Sequence, residues 1–401
     1  MNKLIKQRIE LVRCDKVPMG YKKIKADIIP LEWTSFRVGD LYTERKESGN
    51  TELPILSVSI HSGVSDGALD EKEIGKKVKR IEDKSQYKKA ISGDLVFNMM
   101  RAWQGAIGVV RTDGMVSPAY IVAAPNSKIY PLFMNYYMKT PHMINTIHRQ
   151  SYGVMDFRLR LYWDSFAPIN CCIPCVAEQK KITKILTTCD KIIELKEKRI
   201  TEKQKQKKYL LHQLLSGQKR LDGFNEKWKK VELGEVFTYI QPTKYIVTSA
   251  EYSNKYKTPV LTAGKTFILG YTNETDGIYN DLPVVLFDDF TTSSQYVDFP
   301  FKVKSSAAKI LKCNRGFNSV FAFAVLHNLN YSIGGHERHW ISKFAHMIVK
   351  MPELNEQTSI ANILSTIDHE IELLQKDLKQ EKLKKKALMQ LLLTGIVRVN
   401  T

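Results

Sequence analysis

The chain reads as an α+β protein: two α+β globules separated by two long helices that pair as an antiparallel coiled coil, the whole an internal repeat. Three observations predict this. Residues 174–221 and 352–399 align without a gap at an offset of 178, and about 19 of the 48 positions are identical. Each copy spaces its apolar residues alternately by four and three, the signature of a helix packed along another helix. The stretches ahead of the copies alternate short β-type runs with Gly, Asp and Asn turns. The expected segments are 1–173 (first globule), 174–217 (first long helix), 218–351 (second globule) and 352–401 (second long helix).

In the first globule, residues 93–98, 105–110 and the run from Tyr120 read as strands, with turns at Asp113-Gly114 and Ser117-Pro118. Residues 132–139 read as helical. Two groups combine planar donors with aromatics, the mixture that holds phosphates and reads base edges. They are Arg101, Trp103 and Gln104, then Arg149, Gln150 and Tyr152 followed by Arg158 and Arg160.

The first long helix has a seam of Ile182, Leu186, Cys189, Ile193, Lys196, Ile200, Lys203, Lys207, Leu210 and Leu214. Its counterpart in the second copy is Ile360, Leu364, Ile367, Ile371, Leu374, Leu378, Glu381, Lys385, Leu388 and Leu392. Pro174 and Pro352 stand ahead of the helices, and Gly217 and Gly395 sit where a left-handed residue ends one. Each helix then spans about 60 Å at 1.5 Å per residue. A homo-oligomeric coiled coil and pairing within one chain are both open. The second is preferred, because a duplicated segment supplies its own partner and a two-fold between copies makes them antiparallel. The seam lysines fit as stems laid over apolar surface with heads in water.

A weaker echo opens each globule: Trp33 to Leu41 against Trp228 to Val236. In the second globule, residues 258–262, 282–287 and 296–303 read as strands and 319–326 as a helix. The donor-rich loops here are Lys265-Thr266, Thr292 to Gln295 with Ser294, Lys304-Ser305, and His336, Arg338, His339 and Trp340. The last run follows Gly334-Gly335, which permits close backbone approach, and is the first choice among the candidate DNA contacts.

The formal charge of +19 asks for an anionic partner, nucleic acid first. Residues 1–173 and 174–221 carry about +8 each, 222–351 about +3, and 352–399 none. The charge thus belongs to folded surfaces. Without an apolar signal core or an 18-residue apolar run, a cytoplasmic protein with no membrane association is expected. Six cysteines form no secreted framework, and Cys171-Cys172-Ile-Pro-Cys175 reads as a buried strand entering a helix rather than half a zinc site. Thr262-Ala-Gly-Lys-Thr266 lacks the first glycine of a phosphate loop, which falls at Pro259. Asp288-Asp289 reads as a turn, and no nucleophile–base pair stands at readable spacing. The chain is expected to be non-catalytic and to hold no metal.

The helix openings Glu178-Gln-Lys-Lys-Ile-Thr-Lys-Ile-Leu186 and Glu356-Gln-Thr-Ser-Ile-Ala-Asn-Ile-Leu364 resemble the repeated regions of type I restriction–modification specificity subunits. So do the helix ends, Leu210-Leu-His-Gln-Leu-Leu-Ser-Gly217 and Leu388-Met-Gln-Leu-Leu-Leu-Thr-Gly395. The globules are similar to that family's target recognition domains. The resemblance implies a reader of bipartite double-stranded DNA that scaffolds two modification (methyltransferase) subunits and two restriction/translocase subunits. S-adenosylmethionine, ATP and Mg would then lie on those partners. A methylation-only or type IIB-like system carries the same architecture. A coiled-coil protein scaffold without DNA contact is the reading from a different class.

Overall fold

The computed structural model describes residues 3–24, 27–50, 52–60, 63–65, 86–153, 158–262, 264, 266–329 and 339–399. Its contacts divide the chain into two compact units, Met1–Leu195 with Leu378–Thr401, and Lys196–Asp377. The division runs through the long helices rather than at the globule–helix boundaries. The cause is burial: the ends of both helices are built into the globules' cores.

In the first unit, β1 (Thr34–Arg37) leads into a one-turn helix (Val38–Leu41) and then β2 (Tyr42–Glu44). The turn is closed by Arg37 N–H donating to Asp40 Oδ2 at 2.9 Å. Strands β3 (Leu95–Asn98), β4 (Ile107–Val109) and β5 (Tyr120–Pro125) join β2 in an antiparallel sheet of order β2-β5-β3-β4. Val96 pairs with Val122, both fully buried. Helices Pro131–Tyr137 and Pro141–Gln150 follow, each opened by a proline whose missing N–H costs nothing at that position. β6 (Asn170–Ile173) pairs with β1 and enters the first long helix, Val176–Leu215. Cys171 and Cys172 are both buried in β6, as the strand reading requires, and burial pushes both thiols up.

The second unit repeats this plan with different residues. β7 (Lys229–Glu232) leads into a one-turn helix (Leu233–Val236), closed by Glu232 N–H donating to Glu235 Oε1 at 3.1 Å. β8 (Phe237–Ile240), β9 (Val284–Asp288), β10 (Ser294–Val297) and β11 (Ala308–Cys313) form an antiparallel sheet of order β8-β11-β9-β10. β12 (Ile348–Met351) pairs with β7 and enters the second long helix, Leu354–Leu393. The run read as one strand over 296–303 is broken: it supplies β10 and a separate short strand, Lys302–Val303, with Pro300 unable to donate to a ladder between them. Helices Lys3–Arg13 and Pro141–Gln150 had no sequence forecast.

Both long helices are 40 residues, and both end before a glycine in the left-handed region, Gly217 (φ 70°) and Gly395 (φ 71°). Every seam position is buried or half-buried, while the neighbouring faces are exposed. Ile182, Leu186 and Leu392 lie in the core of the first unit with Phe97, Phe133 and Phe166. Ile360, Leu364 and Leu214 occupy the matching place in the second, with Phe237, Phe287 and Phe321. The helices run antiparallel within each unit. In the second, Lys196 meets Asp377 at 2.6 Å, Lys203 meets Glu370 at 2.8 Å, and Lys207 meets Asp368. The seam lysines therefore do not leave their heads in water; each finds a carboxylate on the facing helix. Such half-exposed pairs contribute only about 0–1 kcal/mol each and set register more than stability.

Framework contacts recur at the 178-residue offset. Glu178, 1% exposed, takes two hydrogen bonds from Arg398 at 2.7 Å, and Glu356, 2% exposed, takes two from Arg220 at 2.6 and 2.8 Å. Gln179 accepts from Tyr130 N–H at 2.8 Å and donates to the Pro174 carbonyl. Gln357 accepts from Asn318 N–H at 2.8 Å and donates to the Pro352 carbonyl. Asp190 accepts from Lys385 as Asp368 does from Lys207.

The second unit also contains a pH-sensitive tie. Glu274 bonds Lys302 at 2.7 Å and takes N–H donors from Thr248 and Ser249. Burial works to raise its carboxyl, but these donors outweigh burial and hold it down at about 2 against an ordinary 4.5. A depressed acid stabilises the fold above its unfolded value and loses that contribution as pH falls through the folded one. Acid titration is therefore expected to cost stability progressively between pH 4.5 and 2, with Glu274→Gln less stable at neutral pH and flatter across that interval. Equal slopes for both proteins by circular dichroism would remove Glu274 as the cause.

Candidate nucleic-acid interface

In the first unit the candidate groups, separate in sequence, come together. β3 ends at Asn98, whose Oδ1 accepts from Met100 N–H at 2.9 Å and starts the β3–β4 loop. Arg101 leads a single 3-10 turn over Ala102–Gln104, and Gly105 (φ 100°) returns the chain. Only a residue free of a Cβ takes that backbone cheaply. Trp103 anchors the turn, donating to the Met100 carbonyl at 3.1 Å and lying 5.4 Å from the His148 ring. This brings the exposed Arg101 and Gln104 beside the end of helix Pro141–Gln150, where Arg149 and Gln150 are exposed.

The next segment closes on the same surface. Tyr152 and Arg160 exchange backbone hydrogen bonds at 3.0 and 2.9 Å, and Leu161 N–H donates to Met99 of the loop. Tyr152 is 57% exposed with its ring 5.4 Å from Tyr162, whose hydroxyl lies 3.5 Å from Arg160 Nη1. Arg158 is exposed nearby in sequence. The patch thus holds four arginines, two amides and two tilted aromatic pairs on a hairpin tip and a helix end. His148, Tyr162 and the 47% exposed Met100 belong to it and carried no sequence signal of their own.

In the second unit, the β9–β10 loop stands in the same place in strand order as the β3–β4 loop. Asp288 Oδ1 accepts from Phe290 and Thr291 N–H, both at 2.9 Å, so the acidic pair begins with a turn residue as expected. Thr292 has φ 57°, a strained backbone for a β-branched side chain. Gln295 is half-buried on β10. Two neighbouring loops meet this one: Gly264 lies close to the Asp288 carboxylate, and Asp289 N–H donates to the Ala307 carbonyl. They present Thr266, Lys304 and Ser305, all exposed, with the Lys304 ammonium 5.7 Å from the Tyr252 ring centre.

Three candidates face inward. Ser294 is 2% exposed and bonds the His327 ring at 3.0 Å. His339 is fully buried, and Trp340 is 2% exposed between Phe237 and Phe287. Their burial follows from Asp289, which accepts from Trp340 N–H at 2.9 Å and pairs with buried Lys309 at 3.5 Å. Trp340 is a core residue, packed inward rather than presented to a ligand. Lys265, His336 and Arg338 lie outside the described residues.

Among the described residues no group of three or more His, Cys, Asp or Glu is placed to hold a metal ion, and no helix is long and apolar enough to cross a membrane. A family model for the type I restriction modification DNA specificity domain matches residues 225–383. The type I restriction enzyme EcoR124I/EcoR124II specificity subunit of Escherichia coli is 47% identical over 143 residues, a match spanning 34% of each chain. The putative type I restriction enzyme MjaX specificity subunit of Methanocaldococcus jannaschii is 24% identical over 95% of this chain and 97% of its own. Two solved structures share the fold. The type I restriction–modification S subunit from M. genitalium has a TM-score of 0.59 at 15% identity, covering 92% of this chain and 97% of that one. A chain from a type I R-M system complex has a TM-score of 0.52 at 16% identity, covering 92% and 99%. Residues 225–383 thus match the type I restriction modification DNA specificity domain, and over almost its whole length the chain is similar to a type I restriction enzyme specificity subunit.

Proposed function

We propose that this chain is a non-catalytic, sequence-specific DNA-binding subunit that reads a bipartite duplex target, one half with each globule. The observation that carries the proposal is the shared strand order of the two sheets, with donor-rich loops at the same hairpin in each. Residues 1–173 and 218–351 are the two readers, and the long helices form a pseudo-two-fold spacer between them. Identical frameworks with different loop residues suit a protein that holds two unlike half-sites in one geometry. The net charge of +19 supplies phosphate attraction, and exposed Arg101, Gln104, Arg149, Gln150 and Arg160 supply planar donors for one half. Thr266, Gln295, Lys304 and Ser305 supply donors for the other. On this reading the repeated helix surfaces dock two modification subunits, and restriction subunits join them. S-adenosylmethionine, ATP and Mg are held by those partners.

Footprinting the subunit with its methylating partner on a random duplex pool is expected to show two protected patches at a constant gap. Lengthening both long helices by two turns should change the tolerated gap. Protection of a single continuous patch, or a gap indifferent to helix length, would contradict the spacer role. No protection on any duplex would favour a scaffold without DNA contact.

A further inference from the structure

The first unit contains a cavity of about 620 Å³ that the DNA-reading surface does not use. Its volume lies in the range of small-molecule sites. Ile29, Trp33, Tyr137, Cys172, Met389 and Leu393 give it apolar walls, and Val12 of helix Lys3–Arg13 covers one side. That helix is tied down by Arg8, which donates to the Ile396 carbonyl at 2.5 Å. Lys139, Lys382, Lys385 and Lys386 gather at the mouth.

The lining carries four lysines and two aspartates. The acids on the lining are Asp15, which pairs with Lys23, and Asp27, which faces His142 at 3.7 Å. Lys385 meets Asp190, which also accepts from the Tyr136 hydroxyl at 2.6 Å. Lys139 is half-buried, and burial together with the nearby Lys385 ammonium lowers its pKa. A buried cation pressed by another cation is relieved by an anion.

Trp33 adds a second mark. It is 1% exposed, and its indole N–H has no hydrogen-bond partner among the described residues. Buried donors are rarely left so. Trp228, its counterpart in the repeated opening, donates to Glu356 at 3.2 Å. In the first unit Glu178 receives Arg398, as Glu356 receives Arg220, and Arg398 also reaches Glu32.

We propose that this cavity binds an organic anion with a planar apolar body, its charge held by the lysine mouth and its ring against Trp33, Tyr137 and Met389. The site is separate from DNA reading and gives the first unit a ligand-responsive wall, made jointly by the globule and the end of the second long helix. The test uses the full chain and the probe 1-anilinonaphthalene-8-sulfonate, followed by calorimetry and tryptophan quenching. Saturable binding at one site is expected. Lys386→Gln, an exposed change, should weaken it about tenfold, and Gln390→Trp, also exposed, should block it by filling the mouth. Trp33→Phe keeps the bulk, loses the donor and should weaken binding several-fold. Lys205→Gln, an exposed lysine in the second unit, should change nothing. Absence of saturable binding, or full-strength binding to the Gln390→Trp protein, would overturn the proposal.

Discussion

Arg220→Met is expected to lower the unfolding free energy by about 3–5 kcal/mol, the usual consequence of removing one partner of a buried ion pair. Glu356 is 2% exposed, and its carboxylate would be left with one donor, Trp228 Nε1 at 3.2 Å. The Arg220 side chain is 28% exposed, so water reaches part of the vacated space and the loss is expected at the lower end of that range. Arg398→Met should do the same through Glu178 in the first unit, where Glu32 loses a partner as well. Glu178 is the chief cause of the raised Arg398 pKa, with burial opposing, so the guanidinium stays charged throughout the accessible pH range. Urea titration followed by circular dichroism measures both. Losses below about 1 kcal/mol for both variants would place them with ordinary surface pairs.

The second large effect concerns DNA. Arg149→Gln combined with Arg160→Gln should weaken binding roughly a hundredfold or more, since charged hydrogen bonds contribute about 1.5–3 kcal/mol each. If each arginine holds one phosphate, the slope of log affinity against log salt should fall by about two. The footprint over one half-site should fade while the other survives. Both residues are exposed, so the fold should be intact. An unchanged salt slope, or equal loss over both halves, would remove this patch from the interface.

The sequence made the frame readable because the frame depends on short-range periodicity. Seam spacing placed long helices within 174–217 and 352–401, and they run Val176–Leu215 and Leu354–Leu393, the second stopping before Gly395 rather than reaching residue 401. Turn residues located β3, β4, β5 and β9. The helix Pro141–Gln150 escaped notice because only Met143, Ile144 and Ile147 mark its apolar face, too few to set a helical period, although Thr140 and Pro141 supply a start signal. Trp340 and His339 were misplaced because composition cannot say which side of a sheet a polar–aromatic run meets. That was decided by Asp289, 51 residues away along the chain.

The amino-acid sequence by itself determined that there are two copies of one helix, that they pack along their seams, and that the globules before them are α+β. These follow from periodicity, caps and turn chemistry, which act over a few residues. Only the tertiary structure decided that Glu178 takes Arg398 and Glu356 takes Arg220, crossing the copies rather than staying within each. It alone decided that the two sheets share an order their sequences hide, and that four separate arginines share a surface while Trp33 keeps an N–H unmatched among the described residues. Such facts depend on contacts between residues far apart in the chain, where desolvation and geometry, not local propensity, choose the partner.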